Sequence, residues 1–228
     1  VIGLALGAVE PGFAMQVTGG GSTAVKLFLL MTLLSFAAAL LLAVTSFTRI
    51  IIVLSFVRQG LGTPQLPPNQ VLLGLALALS AYVMAPTAQA VWNDALSPYM
   101  EDKLSADEAV TLASVPVRRF VMKHVRQDDL QLFYGVSGAP RPETEDDVPL
   151  TVAVPAFMVS ELTTAFRMGL TVLVPMLFID LLVSAILLSL GMMMVPPTLV
   201  SLPLKVGVFL LAGGWHLVVE SVLRSFAS

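Results

Sequence analysis

Residues 155–197 read PAFMVSELTTAFRMGLTVLVPMLFIDLLVSAILLSLGMMMVPP, and this stretch decides the fold. Charge appears in it only at Glu161, Arg167 and Asp180. Pro155 stands where a helix can begin, since a proline in the first turn gives up a backbone donor that has no partner there. Residues 155–169 read as one helix. Residues 170–195 are long and apolar enough to cross a bilayer, which takes about 20 residues. Pro175 and Asp180 interrupt that second run, and Pro196-Pro197 ends it. Ala156, Ala165 and Gly169 are small and let a neighbouring helix come close.

Working outward, the same pattern recurs. Residues 199–226 form another apolar run, broken by Pro203, Lys205 and Gly213-Gly214. Towards the N-terminus no charge lies between Lys26 and Arg49, nor between Arg58 and Asp94. The first of these runs continues through Ile50–Leu54, and Gly60 to Pro68 supplies the turn between the two. Residues 71–92 carry Pro86, where a kink is expected. Four apolar helical segments therefore define an all-α membrane protein. Composition agrees. Of 228 residues, 57% are hydrophobic and 12% charged, against about 25% charged in a soluble domain. Mean hydropathy is +0.89.

Four regions follow: 1–25, 26–93, 94–149 and 150–228. Residues 1–9 are apolar with small side chains and read as a signal-peptide remnant or a mature extension, followed by a Gly19-Gly20-Gly21-Ser22 joint. Residues 94–149 break the apolar pattern, with 11 acidic and 6 basic residues. Ser105 and Glu108 form a capping box. Val117, Phe120, Val121 and Val125 recur at helical spacing, with Arg118, Arg119, Lys123 and Arg126 on other faces. Residues 137–149, rich in proline and acid, read as a linker. The region is a small, water-exposed helical insert. Arg49 and Arg58 in the first hairpin favour the cytoplasmic side for its turn and the outer side for the insert.

Composition and motifs exclude several functions. A net charge of −3 and no basic cluster give nucleic acid no footing. With no cysteine there is no disulfide or thiolate chemistry. Neither His124 nor His216 sits in an HExxH helix, Asp180 has no second carboxylate beside it, and no serine is patterned with a base. No enzyme and no cofactor are expected. A secondary transporter would use broken helices and buried charges, but no inverted repeat is visible. A homo-oligomeric channel fits four helices better.

Four charges fall within or beside the apolar runs: Arg49, Glu161, Asp180 and Lys205. Each costs at least about 2.5–3.5 kcal/mol at mid-bilayer, so each needs protein or water around it. Glu220 and Arg224 pair locally at i,i+4. Glu161, Asp180 and Lys205 have no opposite charge at that spacing, so their partners come from another helix or another subunit. Glu161 and Lys205, on either side of the 170–195 arm, are a candidate pair; the alternative is that each snorkels to an interface. Arg49 and Asp180 have no assigned partner. Met192-Met193-Met194, between Gly191 and the double proline, are either flexible packing or a soft loop able to close round objects of varying shape.

Three stretches, TSFTRIIIVLSFVRQGLGTPQLPPNQVLLGLAL (45–77), VPAFMVSELTTAFRMGL (154–170) and IDLLVSAILLSLGMMMVPP (179–197), are followed by SLPLK (201–205). In this order they closely resemble the FliP/SctR family of type III secretion export gates. The flagellar branch is the nearer, and the virulence injectisome branch the alternative. The resemblance implies a ring or helical pore in the bacterial inner membrane at the flagellar basal body, with the insert periplasmic. The family forms a pentamer with FliQ-like and FliR-like subunits, beside FlhA-like and FlhB-like export components, and passes unfolded protein substrates. It also implies that the apolar segments pair as bent helical hairpins and that much of the assembly stands above the membrane plane. Met192, Met193 and Met194 would be the pore gasket, and Glu161 and Lys205 an ion pair between neighbouring subunits. The sequence departs from the family at Thr163 and Arg167, where Lys and Gln are usual, and at Gly213, where the family often has Asp.

Overall fold

The computed structural model describes residues 42–227 except 64, 138–143, 145 and 146, together with seven positions between 25 and 35. Most of the expected first apolar run, the N-terminal region and the centre of the linker lie outside the described residues. The chain divides into two units, 1–40 and 41–228. In the first, the described positions are helical, with Thr32 and Ser35 hydroxyls donating to carbonyls four residues back. All that follows concerns the second unit, where the described residues contain helices and no strand.

Helices α1 (Phe47–Leu61) and α2 (Asn69–Val91) form the first hairpin. The α2 helix runs on through a π turn at Trp92–Leu96 into the short α3 (Ser97–Met100). At one end Ser46 and Ser80 hydroxyls bond at 3.1 Å, both buried. At the other, Arg58 donates to the Asn69 side chain. The insert supplies α4 (Ala106–His124) and α5 (Gln127–Ser137). The capping box at its start is complete: the Ser105 hydroxyl accepts from the Glu108 amide and the Glu108 carboxylate accepts from the Ser105 amide at 2.9 Å.

Helix α6 (Leu150–Ser189) has 40 residues where two segments were expected. Pro155 lies near its start. Pro175 removes a single ladder bond, and the helix continues through it. At about 1.5 Å per residue α6 is about 60 Å long, roughly twice a hydrocarbon core of about 30 Å. Half its length must therefore lie beyond the apolar slab or against protein. Helices α7 (Thr198–Leu211) and α8 (Gly214–Ala227) close the chain, bent 61° from one another at a break where Gly213 takes φ +64°. The long apolar α2–α3 run and α6 can each cross a membrane by length and composition, and the bent α7–α8 pair can act as a third span. Two to three of the four expected apolar segments are thus described, and most of the first lies outside the described residues.

The two hairpins join along α1 and α6, and the contacts fix the direction. Arg49 meets Glu161, Phe56 meets Phe166 and Gly169, and Gly60 meets Leu173 and Met176. Residue numbers rise together, so α1 and α6 run parallel. Glycine at 169 is required for this approach, because a Cβ there would lie 2.5 Å from the Phe56 ring. Ala156 and Ala165, the other small residues expected at a close contact, are fully buried. Since α1 ends beside residues 173–176 of α6, the C-terminal part of α6 extends about 20 Å past it.

Gly169→Val places two methyl groups in space held by Phe56. It should destabilise the protein by about 1–3 kcal/mol. Phe56→Ala in the same chain should recover part of that loss, as measured by thermal unfolding in mild detergent.

Candidate functional site

The four out-of-place charges resolve into two pairs within the chain. Arg49 projects from the first turn of α1 into the N-terminal half of α6. Its Nε donates to Glu161 Oε2 at 2.9 Å, and its Nη2 pairs with Oε1. The remaining nitrogen, Nη1, donates to the Ser225 carbonyl at 3.0 Å and to the Ser225 hydroxyl at 2.8 Å. The Phe226 ring lies under the guanidinium, 3.9 Å from carbon to centroid, a cation–π contact. Arg49 is 3% exposed and Glu161 0%. A planar, bidentate guanidinium suits this burial, since it satisfies both carboxylate oxygens and keeps further donors for α8.

Lys205 is also buried, and its ammonium pairs with Asp180 across the α6–α7 hairpin. It sits against the end of α1: a Cβ on Gly62, the left-handed residue closing that helix at φ +73°, would be 3.6 Å from Nζ. A cation at a helix C-terminus faces the free carbonyls of the last turn and is stabilised by them. Lys205 thus joins α6, α7 and α1. The expected Glu161–Lys205 pair is not formed within the chain. Each finds another partner on a different helix, and the fully buried Glu161 is already held by both of its oxygens. Arg49 and Asp180, which had no partner by spacing, supply the two missing ends.

Beyond Lys205 the hairpin runs to its turn, residues 190–197, where Gly191 takes φ +76°. Met192 is 43% exposed, Met193 80% and Met194 96%. Thioethers that packed a core would be covered; these stand free at the end of two apolar arms. Leu181, Leu182, Ile186 and Leu188 on α6 and Leu199 and Val200 on α7 are exposed beside them.

The insert docks on the opposite part of α6. Ser160, buried beside Glu161, donates to Asp129 at 2.6 Å and accepts from the Arg126 amide at 3.0 Å. Phe120 meets Phe157 and Phe226, and His124 packs on the same Phe226 ring. The His124 Nδ1–H donates to the Phe120 carbonyl at 2.8 Å. Burial holds its imidazole below the ordinary value of 6.5, and the Arg49 and Lys123 charges add to this against the Phe120 and Phe226 carbonyls. Spacing could not have revealed Ser160, Ser225, Phe226 or His124 as partners, because each contact crosses between helices. The local Glu220–Arg224 pair, readable from spacing, forms at 2.6 Å.

Residues 30–222 match the model of the FliP family. The flagellar biosynthetic protein FliP of Bacillus subtilis (strain 168) is 51% identical over 205 residues, covering 90% of this chain and 93% of that protein. That of Pectobacterium carotovorum subsp. carotovorum is 46% identical over 222 residues, covering 96% and 86%. That of Aquifex aeolicus (strain VF5) is 42% identical over 204 residues, covering 89% and 85%.

Two outcomes follow from the buried pair and the insert contact. Arg49→Met leaves Glu161 charged and unpaired and should cost about 3–5 kcal/mol, while Arg49→Met with Glu161→Leu should cost far less, by thermal unfolding in detergent. The depressed His124 value means that an undocked chain takes up the proton first. Docking is therefore at full strength above about pH 6.5 and weakens as pH falls through the lower folded value. His124→Phe should flatten that dependence in amide exchange of α4.

Proposed function

This chain belongs to the FliP family, and we propose that it forms the wall and constriction of a flagellar type III protein export gate. Several copies, a pentamer on the family pattern, assemble with FliQ-like and FliR-like subunits in the bacterial inner membrane at the flagellar basal body. FlhA-like and FlhB-like components stand beside them. The insert lies on the periplasmic side. Unfolded export substrates pass through the centre, and the chain itself carries out no bond chemistry.

The observation that carries this reading is the methionine loop. Its three thioethers are the exposed end of a hairpin that runs past the first hairpin's turn. A pore for unfolded chains must admit side chains of every size yet exclude ions when idle. Methionine suits both demands, being apolar, unbranched and able to repack around varying shapes. Copies placed round an axis would bring these loops together as a gasket at the narrowest point. The exposed apolar flanks of α2, α6 and α7 support the same arrangement, since a lone chain would leave them uncovered unless lipid or other copies met them. The two intrachain ion pairs give each copy a rigid shape for this packing.

Two measurements test the reading. Native mass spectrometry of the protein extracted in mild detergent, expressed with its two small membrane partners, should show a discrete complex holding several copies and both partners. A stable monomer that ignores them would remove the gate assignment in favour of a transporter. Replacing Met192, Met193 and Met194 together by Ala should raise ion leak across membranes carrying the assembled gate. Unchanged conductance would remove the gasket.

A further inference from the structure

The α6–α7 hairpin is held unevenly along its length. Its base is packed: α1 lies along α6 as far as Met176, and Phe209 of α7 is buried against Trp215 of α8. Its far end is not. On α6 beyond Asp180 only Val183 and Leu187 are buried among the described residues, and on α7 before Lys205 only Ser201 is. Between base and tip stands the Lys205–Asp180 pair, with Ser201, one turn before Lys205, facing the same carboxylate. It is the one ion pair among the described residues that crosses from one arm to the other.

The third contact gives the pair its leverage. Lys205 comes close to Gly62, so the cross-arm tie also rests against the end of α1 and through it the first hairpin. Gly62 closes α1 in a left-handed conformation that a side chain would strain, and its Cα side faces the ammonium at ordinary contact distance. From Asp180 to Ser189 and from Lys205 back to Thr198, two turns or more of each arm project beyond this point to the methionine loop.

We propose that Lys205 is the positioning residue of the methionine loop: with Asp180 it latches the two arms together over the end of α1, and so sets where Met192–Met194 stand. This rests on the gasket reading and adds to it a mechanical part that the loop does not itself contain. Discrete packed arrangements, not continuous bending, are how such arms move. Releasing the latch frees the tip as a lever about the Asp180–Lys205 level, while the Arg49–Glu161 end of α6 stays in place. Asp180 is partly exposed, at 32% of its side chain, so it is the member of the pair that an incoming group can reach.

The chain has no cysteine, which makes site-specific labelling clean. Nitroxides on cysteines placed at exposed Leu188 and Leu199 report the separation of the arms beside the loop in the full chain in lipid nanodiscs. The parent should give one narrow distance. Lys205→Met and Asp180→Asn should each raise the displaced population about tenfold, the scale of one lost charged hydrogen bond. The double variant, neutral at both positions, folds without an unpaired charge and should remain displaced, because the tie is gone. A narrow distance in Lys205→Met, or a double variant that returns to the parent distance, overturns the latch. Ion leak separates the two ideas. An arm that moves in Lys205→Met without leak removes the gasket and leaves the latch. An arm that holds still while the triple methionine variant leaks removes the latch and leaves the gasket.

Discussion

The arrangement of this protein hangs on the Arg49 guanidinium. One side chain from the first turn of α1 closes on both oxygens of Glu161, reaches Ser225 on the last helix and lies on the Phe226 ring. Burying two charges is expensive, and the cost is offset only when every donor and lone pair has a partner. That demand ties three helices far apart in sequence into one register. With Arg49 opposite Glu161, Phe56 must fall on Gly169 and Gly60 on Met176. The parallel alignment of α1 and α6 follows.

The same junction places the insert. Ser160 is the neighbour of Glu161 on α6 and turns the other way, to Asp129 and the Arg126 amide. Phe226, under Arg49 on one side, meets Phe120 and His124 of α4 on another. A single turn of α6 thus carries the ion pair on one face and the seat of the insert on the next. A change in the charge of His124 is therefore felt beside Arg49, although the two belong to different parts of the chain.

At its other end α6 is organised by length. It outruns α1, and what projects is apolar, sparsely packed within the chain and tipped with methionines. Braced at the Arg49 end and sparsely packed past the level of Lys205, the helix combines a buried root with a largely exposed tip. The proposed gate role would use both: a root that packs against other copies, and a tip able to yield to a passing chain.

Much of this was legible without coordinates. Apolar runs separated by charge-free gaps specified helices long enough for a membrane, because in lipid the backbone must satisfy its own hydrogen bonds. The capping box at Ser105 and Glu108 and the Glu220–Arg224 pair were local, and local spacing is what sequence encodes directly. The methionine triplet stood out by composition. The linear pattern could mark Arg49, Glu161, Asp180 and Lys205 as charges in need of partners, but it could not say which met which. Four charges allow more than one pairing; the close approach of Phe56 to Gly169 agrees with the α1–α6 register that joins Arg49 to Glu161, and the α6–α7 turn brings Lys205 to Asp180. Pro175 likewise suggested a break that α6 does not make, since one missing ladder bond is a small loss in a helix braced along its length. The sequence by itself determined the helices, their apolar faces and the residues that could not stand alone in lipid. The tertiary structure decided their partners, because an ion pair between helices depends on distances that no spacing along the chain contains.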